Sequence, residues 1–221
     1  MWYGENKASM KILFSSNVSW SIYNFRLQLL KTLQKEGHVI HVMGSNDSYS
    51  EKLEMEGFIY TEIAVLNNTK NPFSDLLLFF KYIRLYKKIR PDIILHNAIK
   101  PNVYGTLAAG MLGIKTINNI SGLGTLFIKK SFTTTIAKIL YKVSQKFATY
   151  VFFQNPVDKK LFISQNLISP DKCHLIPGSG VDTTALSIAA FKKIPSKFFR
   201  FIFVGRLIKD KGIKEYIEAA K

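Results

Sequence analysis

The sequence predicts an α/β protein built on a doubly wound parallel sheet. Short runs of strand length alternate almost without break with longer segments of helical periodicity. Several of those runs are apolar at nearly every position, as in parallel strands buried on both faces. Polar residues gather just past the strand ends, where an open α/β sheet has its ligand edge.

Residues 11–15 (KILFS) make the first strand, and Ser16-Asn17-Val18-Ser19-Trp20-Ser21 its exit loop. Phe25, Leu29, Leu30 and Leu33 recur at helical spacing over 23–36, and Gly37 is placed to stop that helix. Strands are expected at 38–43 and 60–65, with a short helix at 51–55 between them. Asn71-Pro72 opens a longer helix over 73–90. A strand at 92–95 then leads into the polar run His96-Asn97-Ala98-Ile99-Lys100-Pro101-Asn102. Residues 103–112 are small and apolar enough for a helix packed on the sheet, and 115–120 form the next strand. That strand exits through Ser121-Gly122-Leu123-Gly124. A helix follows at 132–149, a strand at 150–154, and a helix opened by Asn155 as N-cap with Pro156 in its first turn. The strand at 173–176 completes the first domain, placed at 10–182. Residues 1–9 are read as an extension and 183–198 as a linker. Residues 199–221 are read as the first strand and helix of a second α/β domain.

Composition narrows the classes. With 47% hydrophobic and 21% charged residues the 221-residue chain is globular in character. No apolar run reaches the roughly 18–20 residues of a membrane span, and residues 1–9 lack the pattern of a signal peptide. Cys173 is the single cysteine, so an internal disulfide is excluded, and its apolar neighbours suggest a buried thiol. The formal net charge is +16, and no acidic residue occurs between Asp92 and Asp158, where Lys100, Lys115, Lys129, Lys130, Lys138, Lys142 and Lys146 all fall. Such a field attracts phosphate, whether on nucleic acid, anionic lipid or a diphosphate substrate.

Motifs narrow them further. The first strand-to-helix turn has no glycine, against a dinucleotide fingerprint, and neither a Walker A sequence nor zinc-type spacing is present. His38, His41 and His174 fall in or beside strands as structural residues. His96 ends a strand on the ligand edge and stands equally as a structural or a catalytic residue. Around Gly205, Arg206 and Lys211 a basic strand-to-helix turn suits a diphosphate.

Four segments together, S-W-S-I-Y-N-F-R at 19–26, I-K-P-N-V-Y-G at 99–105, I-N-N-I-S-G-L-G at 117–124 and G-R-L with K-G at 205–212, resemble the retaining family-4 glycosyltransferases of GT-B fold. I-P-G-S-G-V-D at 176–182 is similar to that family's I-P-x-G-V-D with one residue added. The resemblance runs strongest to the branch that extends undecaprenyl-diphosphate-linked sugars. It implies a Rossmann-like acceptor-binding domain in which Asn17, Trp20, Asn24, Arg26, Lys100, Asn102, Ser121, Gly122 and Gly124 meet the acceptor. It implies that Gly205, Arg206 and Lys211 hold the donor diphosphate without a metal or other cofactor.

The partners so implied are a nucleotide-sugar donor (a UDP-N-acetylhexosamine), a polyprenyl-diphosphate-linked acceptor, and the anionic inner face of the cytoplasmic membrane, on which the protein rests peripherally. The family's E-x(7)-E motif and nucleotide-binding half lie beyond position 221, so a truncated chain is expected. Transfer of sugar then needs a separate polypeptide carrying the rest. The rival readings are a basic nucleic-acid-binding module, for which no RNP, KH or helix-turn-helix signature is present, and a gene fragment without function.

Overall fold

The computed structural model describes residues 8–64, 72–123, 132–183, 197–205, 207 and 209–220. The chain divides into two compact units, Met1–Asp182 and Thr183–Lys221.

The first unit is a seven-stranded, all-parallel sheet. Its strands are β1 (Lys11–Val18), β2 (Val39–Ser45), β3 (Ile59–Glu62), β4 (Ile93–Asn97), β5 (Lys115–Ile120), β6 (Tyr150–Phe153) and β7 (Cys173–Leu175). The order across the sheet is β3-β2-β1-β4-β5-β6-β7, so the winding reverses between β1 and β4. The helices are α1 (Ser19–Lys35), α2 (Ser50–Met55), α3 (Pro72–Ile89), α4 (Thr106–Met111), α5 (Phe132–Ser144) and α6 (Pro156–Ser164).

Strand alternation splits the core into layers. Ile12 and Phe14 of β1 pack with Ile22, Leu30 and Leu53 under α1 and α2. Leu13, between them, points the other way, to Tyr82, Tyr86 and Ile89 of α3 and Ala108 and Ala109 of α4. A third cluster joins Val151 and Phe153 of β6 to Tyr141 and Phe162. Cys173 is buried there as the sequence suggests.

Local signals explain the element ends. Gly37 takes φ 89°, the left-handed value of a helix stop. Asn155 caps α6 by accepting the Asp158 N–H at 2.7 Å, with Pro156 following.

Several boundaries differ from expectation. β1 runs on to Val18 through a shift of register between Ser15 and Val18, and α1 starts at Ser19 rather than at 23, so the supposed exit loop is half strand and half helix. The helix expected over 103–112 begins instead as a π-turn, Pro101–Gly105, and continues as α4. α5 ends at Ser144, five residues early. The strand expected at 60–65 is shorter, β3 ending at Glu62 with Ile63 and Ala64 past it, and Val65 lies outside the described residues.

In the second unit, the strand expected from 199 is not formed: residues 199–204 join no sheet ladder among the described residues, and Phe199, Phe201, Ile202 and Val204 are exposed. A short 3-10 turn, Lys209–Lys211, precedes α7 (Ile213–Ala219).

Candidate functional site

The polar exit of β4 is built around the π-turn, and the turn depends on what lies beneath it. His96 is buried at 1% exposure, and its hydrogen-bond network can be assigned from one fixed point. The Asn102 backbone carbonyl only accepts, so the Gln145 group facing it at 2.9 Å is the amide Nε2. Gln145 Oε1 therefore turns to Asn118 and accepts Nδ2–H at 2.7 Å. This leaves Asn118 Oδ1 facing His96 Nδ1 at 2.9 Å, with the Thr106 hydroxyl also donating to it at 3.0 Å. Nδ1 must carry the imidazole proton, and Nε2 accepts from the Tyr86 hydroxyl at 2.8 Å. Burial pushes the His96 pKa down to about 4, partly offset by the bond to Asn118. The ring is thus neutral, with both nitrogens engaged inside the protein. This supports a structural role for His96, holding α3, β4, β5 and α5 in one network.

The K-P-N-V-Y-G motif divides between scaffold and surface. Asn102, also 1% exposed, donates from Nδ2 to the Asn119 carbonyl at 2.8 Å and ties the π-turn to β5. At Gly105 the backbone comes so close that an added Cβ would lie 2.6 Å from His96 Nε2 and 2.8 Å from the Tyr86 oxygen. Lys100 and Tyr104 point outward instead. Lys100 Nζ meets Asp75 Oδ1 at 2.9 Å, and the Tyr104 hydroxyl donates to Asp75 Oδ2 at 2.9 Å. Burial, then the Asp75 carboxylate, pushes the Tyr104 pKa far up, so the phenol stays protonated. Ala98, at the head of the loop, has φ 82°, a strained value for a residue with a side chain.

Outside the turn is a groove of about 870 Å³ between α3 and α5, within the size range of small-molecule sites. Asn17, Lys100, Ser121 and Gly122 line it, so four residues expected at a site from the sequence meet there. Others lie elsewhere. Trp20 is 46% exposed and stacks edge-on against Phe25 at 5.3 Å. Asn24 donates back to the Trp20 carbonyl at 2.8 Å. Arg26 sits on the buried face of α1 with Ser19, Ile22 and Leu30, donating to the Phe25 carbonyl at 3.1 Å, and burial lowers its pKa. Gly124 and Arg206 lie outside the described residues. In the second unit Gly205 and Lys211 are both exposed, and Gly212 after them has φ 77°.

Sequence reasoning missed Asp75, Asn118, Thr106 and Gln145. Asn118 carried a signal, as a polar residue between Thr116 and Ile120 on the buried face of β5. Asp75 carried none, because its partners lie 25 and 29 positions away.

A seven-stranded parallel sheet with a lined groove at its carboxyl edge is the ligand-edge arrangement of open α/β proteins. Residues 11–155 match the family described as glycosyl transferase 4-like, and the chain belongs to that family. It is 26% identical to the N,N'-diacetylbacillosaminyl-diphospho-undecaprenol alpha-1,3-N-acetylgalactosaminyltransferase of Campylobacter jejuni, over 96% of this chain and 60% of that protein. It is 25% identical to the capsular polysaccharide biosynthesis glycosyltransferase CapM of Staphylococcus aureus, over 96% of this chain and 57% of that one. The chain thus spans about 60% of the length of these relatives.

Among solved structures, a glycosyltransferase from Rickettsia africae superposes with TM-score 0.61 at 20% identity, covering 84% of this chain and 47% of that one. The UDP-GlcNAc 2-epimerase of Neisseria meningitidis, solved with UDP-GlcNAc, gives TM-score 0.59 at 16% identity, covering 96% and 54%. These likenesses establish a GT-B type α/β fold, shared by transferases and epimerases. No helix among the described residues is long and apolar enough to cross a membrane.

Proposed function

We propose that the chain is the acceptor-side part of a retaining glycosyltransferase that extends a polyprenyl-diphosphate-linked sugar, using a nucleotide-sugar donor such as a UDP-N-acetylhexosamine. The observation that carries this reading is the groove at the sheet's carboxyl edge, where Asn17, Lys100, Ser121 and Gly122 converge in a chain of this family. Relatives named for undecaprenyl-diphosphate acceptors support it. In this reading residues 10–182 bind the acceptor and residues from 199 onward begin the donor side. Asn17, Ser121 and Gly122 form the acceptor wall with Lys100 at the diphosphate, and Trp20 and Asn24 border the sheet edge. Asn102 and Arg26 act from within the scaffold. His96 keeps that scaffold in register rather than moving a proton.

On the donor side Gly205 lets backbone approach the diphosphate while Arg206 and Lys211 offset the negative charge that grows on the leaving nucleoside diphosphate. The basic helices rest on anionic lipid at the inner face of the cytoplasmic membrane.

The test is equilibrium binding of undecaprenyl-diphosphate-linked N-acetylhexosamine in phosphatidylcholine nanodiscs. Saturable binding that weakens about tenfold in Lys100→Ala is expected. Absence of binding, together with a strongly salt-dependent shift on RNA or DNA, would replace this reading with a nucleic-acid-binding one.

A further inference from the structure

A second cavity, of about 470 Å³, shares no lining residue with the groove. Its wall is made by Lys142 in the last turn of α5, by Gln145 and Lys146 just past it, and by residues 166–170 and Lys172 ahead of β7. The stretches 145–149 and 165–172 lead into β6 and β7. In this all-parallel sheet they therefore lie at the amino edge, opposite the exits of β4 and β5. Acceptor and donor binding, as proposed, use none of these residues.

The cavity is of one sign. Lys142, Lys146 and Lys172 line it, and no carboxylate does. The sequence offers α5 none, since no acidic residue occurs between Asp92 and Asp158. Lys142 and Lys146 are exposed and enter no ion pair among the described residues. Asp171, beside Lys172 in sequence, accepts from the Ser169 hydroxyl and stays outside the lining.

The three lysines are more than a solvated helix face, because they come from separate segments and one is fixed. Lys172 Nζ donates to the Lys146 and Ala148 carbonyls at 2.9 Å each. Those bonds pin the ammonium, leave it one N–H, and cover two carbonyls that would otherwise repel an anion. Asn166, held at φ 53°, adds to the lining a side-chain amide with no partner among the described residues. Leu167 and Ile168 are buried and give an apolar floor. Gln145, 1% exposed, spends its amide on the Asn102 carbonyl and Ser144, so it closes the inner wall without binding anything there. A concave site with charge of one sign and a low-dielectric wall concentrates counter-ions. Lysine ammonium groups suit phosphate in that role.

We infer that this amino-edge cavity is a separate phosphate-binding site, in which Lys142, Lys146 and Lys172 surround a phosphate or diphosphate group. The group belongs to a soluble phosphorylated molecule or to a phospholipid head, which present the same chemistry to the three ammonium groups.

The experiment titrates the full chain with inorganic diphosphate in about 0.15 M chloride, where diffuse surface attraction is largely screened, and follows backbone amide shifts by NMR. Saturable shifts are expected at Leu167, Ile168, Ser169 and Lys172, resolved from any at Ser121. The double variant Lys142→Gln, Lys146→Gln is expected to weaken binding at these amides by about tenfold or more, as loss of charge-assisted bonds implies. Lys100→Ala is expected to leave them unchanged. Lys172 is kept intact because it also ties two turns together. If the double variant does not fold, Lys146→Gln alone makes the same test.

Displacement of diphosphate by glycerol phosphate assigns the site to a soluble molecule, and displacement by phosphatidylglycerol vesicles alone assigns it to a lipid head. Either result supports the site. Shifts that fail to saturate, that spread evenly over the basic residues of α3 and α5, or that ignore the substitutions overturn it. The acceptor reading is decided separately, by the nanodisc measurement.

Discussion

Two strand exits share the carboxyl edge of this sheet and differ in how many of their side chains the core holds. After β1 the chain enters α1 through the buried Ser19, whose hydroxyl donates to the Ser45 carbonyl at 2.7 Å, but the next side chains turn outward. Trp20 is exposed, and Asn24 bonds only to its own helix. After β4 the chain is pressed into the core, with Asn102 bonded to β5 and Gly105 against His96 and Tyr86. At the first exit Trp20 and Asn24 can change at small cost to the fold, while Ser19 is held. The second has its geometry set by buried hydrogen bonds, which suits a site that must hold a charged group in a fixed place.

The sharpest way to break this contrast is Gly105→Ala. Its Cβ would enter the His96–Tyr86 contact, which cannot yield without breaking a hydrogen bond. A loss of about 3 kcal/mol is expected in urea unfolding, at the upper end for overpacking. A loss below about 1 kcal/mol would show that the exit is softer than it looks.

Acid titration comes next. His96 has a folded-state pKa of about 4 against 6.5 as its ordinary value. As pH falls the unfolded chain takes up this proton first. The stability that the neutral ring contributes is therefore complete above pH 6.5 and is lost as pH falls from there through 4. The loss amounts to up to about 3 kcal/mol. His96→Gln should flatten that part of the stability–pH curve, and an unchanged slope would disprove the assignment.

A smaller effect of opposite sign is expected at Ala98. Its positive φ is relieved by glycine, so Ala98→Gly should stabilise by about 0.5 kcal/mol, net of the added freedom of the unfolded chain. The smallest change belongs to the other exit. Trp20→Ala should leave stability within about 0.5 kcal/mol while weakening nanodisc binding of the lipid-linked sugar, and a large drop in melting temperature would erase the contrast between the two exits.

Much of this architecture is legible in the sequence. Buried parallel strands announce themselves as apolar runs, and Gly37 and Asn155 mark helix ends through local chemistry that needs no partner. Legibility fails where a residue's role depends on distant groups. Gln145 reads as one more polar residue near the end of an amphipathic helix, yet it fixes the orientation of Asn118 and through it the tautomer of His96. His96 reads equally well as catalyst or scaffold until both its nitrogens are seen engaged. The π-turn is hidden for a similar reason, because V-Y-G-T-L-A-A-G has ordinary helical periodicity and the wider turn is visible only in the backbone hydrogen bonds. Ser121 was identifiable because it follows a strand directly, and Lys100 because it lies in the I-K-P-N-V-Y-G motif. Asp75, which neutralises Lys100 from another helix, was not.

The position of β1 inside the sheet, between β2 and β4, also bears on how the chain comes together. β1 and β2 are close in sequence and can pair early, but the other edge of β1 must wait for β4. Lys11 donates its backbone N–H to the Asp92 carboxylate at 2.7 Å, across 81 positions, and the ladder from Ile12 with Ile93 to Ser15 with His96 starts beside that contact. Until that loop closes, the half-formed sheet presents β1 as an open edge of Ile12, Leu13 and Phe14. Such long-range closure slows folding and invites strand exchange between molecules. During synthesis, the interval between the emergence of β2 and that of β4 is therefore when the nascent chain most needs a chaperone.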